Sequence, residues 1–136
     1  MQAKSPGEIN DLFIQYMREG DLESVLTLYD ADVAFAARSG EVRCGVAALR
    51  EELGQLAAAK QVFKFDVRKV IRAGDIALVH NRWDTTTPSG PSGYALEVAR
   101  RQPDGSWRWL IGDPFTVGSQ FAGYGSRVDQ GDVFEP

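Results

Sequence analysis

Ser5-Pro6-Gly7-Glu8-Ile9-Asn10-Asp11-Leu12-Phe13-Ile14-Gln15-Tyr16-Met17-Arg18-Glu19-Gly20-Asp21 is the stretch that decides the fold. Ser5 is placed to cap a helix, Pro6 suits its first turn, and Glu8 completes an S-x-x-E capping box. Ile9, Leu12, Phe13, Tyr16 and Met17 fall at i, i+3, i+4, i+7 and i+8. They make one apolar stripe, with Glu8, Asn10, Asp11 and Arg18 off it. Gly20 ends this helix and Asp21 caps another, in which Leu22, Val25, Leu26 and Tyr29 repeat the spacing. Two helices, over 6–19 and 22–29, are therefore expected to meet at Gly20 and to open a small α+β fold.

The chain has 136 residues, 43% apolar and 25% charged, with a net charge of −4. That length suits one domain with one core. The acidic balance offers no basic field for a phosphate backbone, so no nucleic-acid partner is expected. No apolar run approaches the ~20 residues of a membrane-spanning helix, and residues 1–20 lack the pattern of a signal peptide. The reading is a cytoplasmic protein without a membrane partner. One cysteine, Cys44, and one histidine, His80, leave no pairing for a disulfide and no cluster for zinc, so no metal or cofactor is expected. Cys44 reads as a small buried hydrophobe.

Further along, residues 33–37 read as a strand, and Arg38-Ser39-Gly40-Glu41 as the turn that ends it. A third helix over 46–59 sets Val46, Leu49, Leu53 and Leu56 on one side. From Val62 the period changes from 3.6 to 2. Phe63, Phe65 and Val67 alternate with Lys64, Asp66 and Arg68, and Gly74-Asp75 turns the chain into a second strand, giving a hairpin over 62–72 and 76–87. Pro88-Ser89-Gly90-Pro91-Ser92-Gly93 is a connection, and 94–101 with 107–113 form another hairpin about Pro103-Asp104-Gly105. Helices followed by a meander argue α+β, with three helices on one face of a strongly curved antiparallel sheet. Apolar residues at both strand parities call for cover on both faces, so a homodimer through the sheet is expected, burying Trp107 or its strand neighbours. Residues 1–117 form the domain; 118–136 have too little apolar content for a core and read as an extended or disordered tail.

Three stretches carry a resemblance. Met17-Arg18-Glu19-Gly20-Asp21-Leu22-Glu23 runs into Leu28-Tyr29-Asp30-Ala31-Asp32-Val33; Gly45-Val46-Ala47-Ala48-Leu49-Arg50 follows; Pro103-Asp104-Gly105-Ser106-Trp107-Arg108-Trp109 comes last. In this order the chain resembles the nuclear transport factor 2-like superfamily, in its ketosteroid isomerase-like and SnoaL-like branch, across nearly its whole length. The resemblance implies a cystatin-like cone around a pocket for a small apolar or amphipathic molecule. Isomerases of this kind use a carboxylate base on the first strand, with a first-helix tyrosine and a protonated late-strand aspartate as oxyanion hole. Here the chain departs from the pattern: counting from Gly20 puts Phe13 near the tyrosine position, and Ala37 falls near the base. Steroid isomerisation is not expected, whereas counting from Gly105 puts Glu97 near the late-strand acid.

Glu97 is accordingly the first catalytic candidate. It alternates with Ala95 and Ala99, which leave room for a ligand; a charged residue between alanines also fits a solvated outward position. Asp113, in Ile111-Gly112-Asp113-Pro114-Phe115, is the second, since SnoaL-like cyclases carry an acid near this end of the last strand. Either Gly112 or Asp113 takes the inward slot, and Asp113 also fits a turn role beside Pro114. His80 is the one side chain of a type whose unperturbed pKa lies near neutrality, and it would pair with Glu97 if the two share a face; a lone strand histidine is otherwise structural. Phe13, Tyr16, Phe35, Phe63, Trp83 and Trp109 are the candidate lining, and the same residues would serve as sheet core. The chemistry this suggests is cofactor-free acid–base work such as cyclisation, isomerisation or hydration. The alternatives are ligand binding alone or a dimeric association module.

Overall fold

Capping sets the first helix as the sequence implies. In the structure, a computed structural model that describes residues 2–86 and 92–118, α1 spans Pro6–Glu19. The Ser5 hydroxyl accepts from the Glu8 N–H at 3.3 Å, and the Glu8 carboxylate reaches back to the Lys4 N–H at 2.9 Å. Gly20 ends the helix at φ 74°, a left-handed conformation that glycine adopts without strain. Asp21 then caps α2 (Leu22–Leu26) by accepting from the Ser24 N–H at 3.1 Å.

The second helix is shorter than its spacing implies. Tyr29 leaves it to begin β1 (Tyr29–Ala36), which starts four residues earlier than the apolar run suggests. Pairing wins over propensity here: the Leu28 carbonyl accepts from the Trp109 N–H at 2.9 Å, and Tyr29 lies beside Trp109 in the sheet. After β1 comes a three-residue strand, β2 (Val42–Cys44), which periodicity cannot reveal. Cys44 lies on this edge strand and is exposed rather than buried. Helix α3 (Val46–Ala58) follows, then β3 (Phe63–Ala73), β4 (Ile76–Thr85), β5 (Ser92–Arg101) and β6 (Trp107–Gly118). Ser92 and Gly93, read as loop, pair with Asp84 and Trp83. Of the expected connection, 87–91 lie outside the described residues, as does the tail beyond 118.

The six strands form one sheet in the order β2-β1-β6-β5-β4-β3. All neighbours are antiparallel except β1 and β6, which run parallel. Along β5, Gly93, Ala95, Glu97 and Ala99 are buried while the intervening residues are half-exposed. That face meets the helices: Ile9, Phe13, Met17, Leu49, Leu53, Ala77, Ala99 and Trp109 share one core. Trp107 is already 3% exposed within the single chain, beneath the guanidinium groups of Arg72 and Arg101 at 5.0 and 5.9 Å, so it offers no surface to a second copy.

Irregularities in register shape the site. Val98 pairs with Ile111 but Ala99 with Trp109, leaving Leu110 as an extra residue. This bulge reverses the parity of β6, so Trp109 and Gly112 both face the helices. A second irregularity falls between the Leu96–Asp113 and Tyr94–Val117 pairs, around Pro114, which cannot donate to the ladder. The Trp83 indole N–H donates to the Pro114 carbonyl at 2.6 Å and ties β4 to this segment.

Candidate functional site

Helices α1 and α3 do not close fully on the sheet, and between them lies a cavity of about 390 Å³. Phe13 forms its aromatic corner. Its ring lies 5.6 Å from each of Phe63, Phe65 and Trp109; Trp83 lies 6.3 Å from Phe63 and Tyr29 5.3 Å from Trp109. Leu49, Leu53 and Leu56 of α3 form the facing wall. The rim is polar: Arg38 is exposed, and its N–H donates to the Glu52 carboxylate at 2.9 Å.

Glu97 lies in this lining, on central strand β5, and is 9% exposed. The alternation that fits an outward charge equally fits a pocket acid, and here the small neighbours Ala95 and Ala99 share its buried face. Gly112 lies across from it on β6 and puts no side chain over it. Burial disfavours the carboxylate and raises the Glu97 pKa to about 8, against a smaller opposing effect from a hydrogen bond with Asn81. The group is therefore mostly protonated at neutral pH and is a donor there. Tyr29, also in the lining, stays a neutral phenol: burial pushes its pKa up, and the nearby Glu97 charge pushes it further.

The other candidates divide by face. Phe35, Phe63, Trp83 and Trp109 lie along the cavity with Phe13. Tyr16 is buried in the core and is not part of the lining. His80 is exposed and pairs with Leu96, one residue out of phase with Glu97; on a strand, one residue's offset puts two side chains on opposite faces, so the expected His80–Glu97 pair does not form. Asp113 is half-buried and outside the lining. The Leu110 bulge gives the inward slot to Gly112, and the Asp113 carboxylate accepts from the Phe115 N–H at 3.3 Å, a turn role.

Asn81, Tyr29 and the Arg38–Glu52 rim also belong to the lining and were not singled out in the sequence. A signal existed for Asn81, which continues the buried parity of Ala77, Val79 and Trp83; a polar residue in an apolar register marks a position to be explained. Tyr29 had none, since its spacing suits a helix. Among the described residues, no group of three or more His, Cys, Asp or Glu side chains is arranged to hold a metal ion, and no helix is long and apolar enough to cross a membrane.

Known proteins match this architecture. The SnoaL-like domain family matches residues 11–108. A candidate calcium/calmodulin-dependent protein kinase type II association domain from Thiobacillus denitrificans is similar in fold at a TM-score of 0.69 and 20% identity, covering 84% of this chain and 98% of its own. A candidate dehydratase of the NTF2-like family from Streptomyces avermitilis has a TM-score of 0.64 and 24% identity over 79% of this chain and 89% of its own. A ketosteroid isomerase-like protein from Erwinia carotovora atroseptica has 0.58 and 13%, over 79% and 89%. No curated protein matches the chain.

Proposed function

The chain belongs to the SnoaL-like domain family, and from that premise we propose that its cavity takes a small, largely apolar molecule and that Glu97 serves it as acid–base group without a cofactor. The observation carrying this reading is a carboxylic acid facing an aromatic cavity, its pKa raised to about 8 by burial. At neutral pH the acid donates a hydrogen bond, or its proton, to an oxygen on which negative charge develops. The apolar walls strengthen that interaction by excluding water. Once ionised, the same group is a base strong enough to take a proton from carbon next to a carbonyl, the step common to isomerisation and cyclisation. Tyr29, held neutral, supplies a second donor.

Titration of the Glu97 carboxyl carbon by NMR tests the proposal. The expected midpoint lies near 8; a midpoint near the exposed value of about 4 removes the acid from the pocket. Glu97→Gln is expected to keep the fold and abolish turnover while retaining part of the affinity, whereas a binding-only protein would lose no activity because it has none. The outer sheet face supports a further reading, a homodimer: Ile71, Ile76 and Ile111 are 40–52% exposed there. Sedimentation equilibrium is expected to give twice 15.0 kDa at micromolar concentration, and a concentration-independent single-chain mass excludes it.

A further inference from the structure

Asn81 is 2% exposed, yet its side-chain oxygen has no hydrogen-bond partner. Its amide interacts with Glu97, and its neighbours across the sheet, Val67 and Ala95, carry nothing polar to meet the other end. Rotating the amide exchanges oxygen and nitrogen but leaves one of them idle either way. Buried polar atoms are nearly always paired, so an idle one next to a cavity marks a missing partner. The Trp109 indole N–H, in the same lining, is likewise unpartnered. Two side chains of the lining thus hold a buried idle acceptor and a buried idle donor near the acid, and a ligand that draws both toward the cavity beside Glu97 presents a carbonyl and a hydroxyl together.

We infer that Asn81 is a specificity-determining residue that selects a hydroxy-carbonyl compound over a simple ketone, its amide oxygen accepting from the ligand hydroxyl while Glu97 holds the carbonyl. This rests on the reading of the cavity as a small-molecule site. A simple ketone leaves the Asn81 oxygen buried and unpaired, and a site built to bond a hydroxyl discriminates strongly against the analogue that lacks it.

Benzoin and deoxybenzoin differ by one hydroxyl, and their binding can be read from the fluorescence of Trp83 and Trp109. The wild-type chain is expected to bind benzoin about tenfold or more tightly than deoxybenzoin. Asn81→Leu, similar in size and without polar atoms, is expected to bring the two affinities within about twofold, as is Asn81→Ala should the leucine variant fail to fold. Equal wild-type affinities overturn the inference and leave the pocket reading standing. A preference that survives in both variants assigns it to another group and overturns the role of Asn81. Failure of both probes to bind at millimolar concentration removes the pocket reading, and this inference with it.

Discussion

Asp30 and Glu97 are both buried carboxyl groups of one sheet, 3% and 9% exposed, yet their protonation is driven in opposite directions. Burial alone would raise the Asp30 pKa, but Arg100 grips it with two hydrogen bonds at 2.8 and 3.0 Å. Gln102 and the Asp32 N–H add one each, and together they hold Asp30 below the usual carboxylate range. Among the described residues Glu97 meets no cation, only the Asn81 amide, and burial prevails. What separates a charged from a protonated carboxyl here is the company it keeps, since both are out of water. A fully partnered charge locks the end of the sheet and has nothing left for a ligand, whereas an under-partnered one keeps a proton to offer.

The largest effect expected from this contrast is in stability against pH. The folded chain keeps a proton on Glu97 that the unfolded chain releases above 4.5. Glu97 therefore makes stability fall as pH rises from there to about 8, by up to about 1.4 kcal/mol per unit. Urea denaturation across that range should show the decline in the wild type, and Glu97→Gln should remove this contribution; an unchanged slope breaks the comparison at the Glu97 end.

Next in size, Asp30→Ala should cost about 2 kcal/mol at pH 7, because it takes from Arg100 and Gln102 the buried acceptor they share and leaves Arg100 only the exposed Asp32 carboxylate at 3.3 Å. Asp30 contributes with the opposite sign, its stabilisation being present above the unfolded pKa and lost as pH falls through the depressed folded one. The penalty of Asp30→Ala should accordingly shrink in acid, as thermal melts at pH 7 and pH 3 will read. Smallest of all, His80→Ala should change stability by less than about 0.5 kcal/mol and leave the Glu97 midpoint where it was. A displaced midpoint would reconnect a residue the sheet keeps on its other face.

Helices α1 and α3 and the alternation of β5, though not which parity faces inward, were legible because a single period governs each; α1 ends where its cap residues say it does. Three features escaped, each decided by something non-local. Tyr29 belongs to β1 because Trp109, eighty positions away, pairs with it. His80 and Asp113 miss the cavity through register: His80 lies out of phase with Glu97, and the Leu110 bulge gives the inward slot beside Asp113 to Gly112. Glu97 itself was ambiguous, as the same Ala-x-Glu-x-Ala alternation suits water or a cavity until a neighbouring layer covers it. Sequence reading singled out Glu97 but not Asn81, whose unpaired amide oxygen is visible only in the structure.

Gly112 stands across from Glu97 without a left-handed backbone to require glycine, and a methyl group added there would come no closer to its neighbours than 3.8 Å, from the Phe35 Cβ. Nothing in local geometry prevents alanine from taking the place, and a larger side chain would fill more of the space over the acid. One codon thus sets the headroom above Glu97 independently of the framework. A designer can change that headroom in a single step.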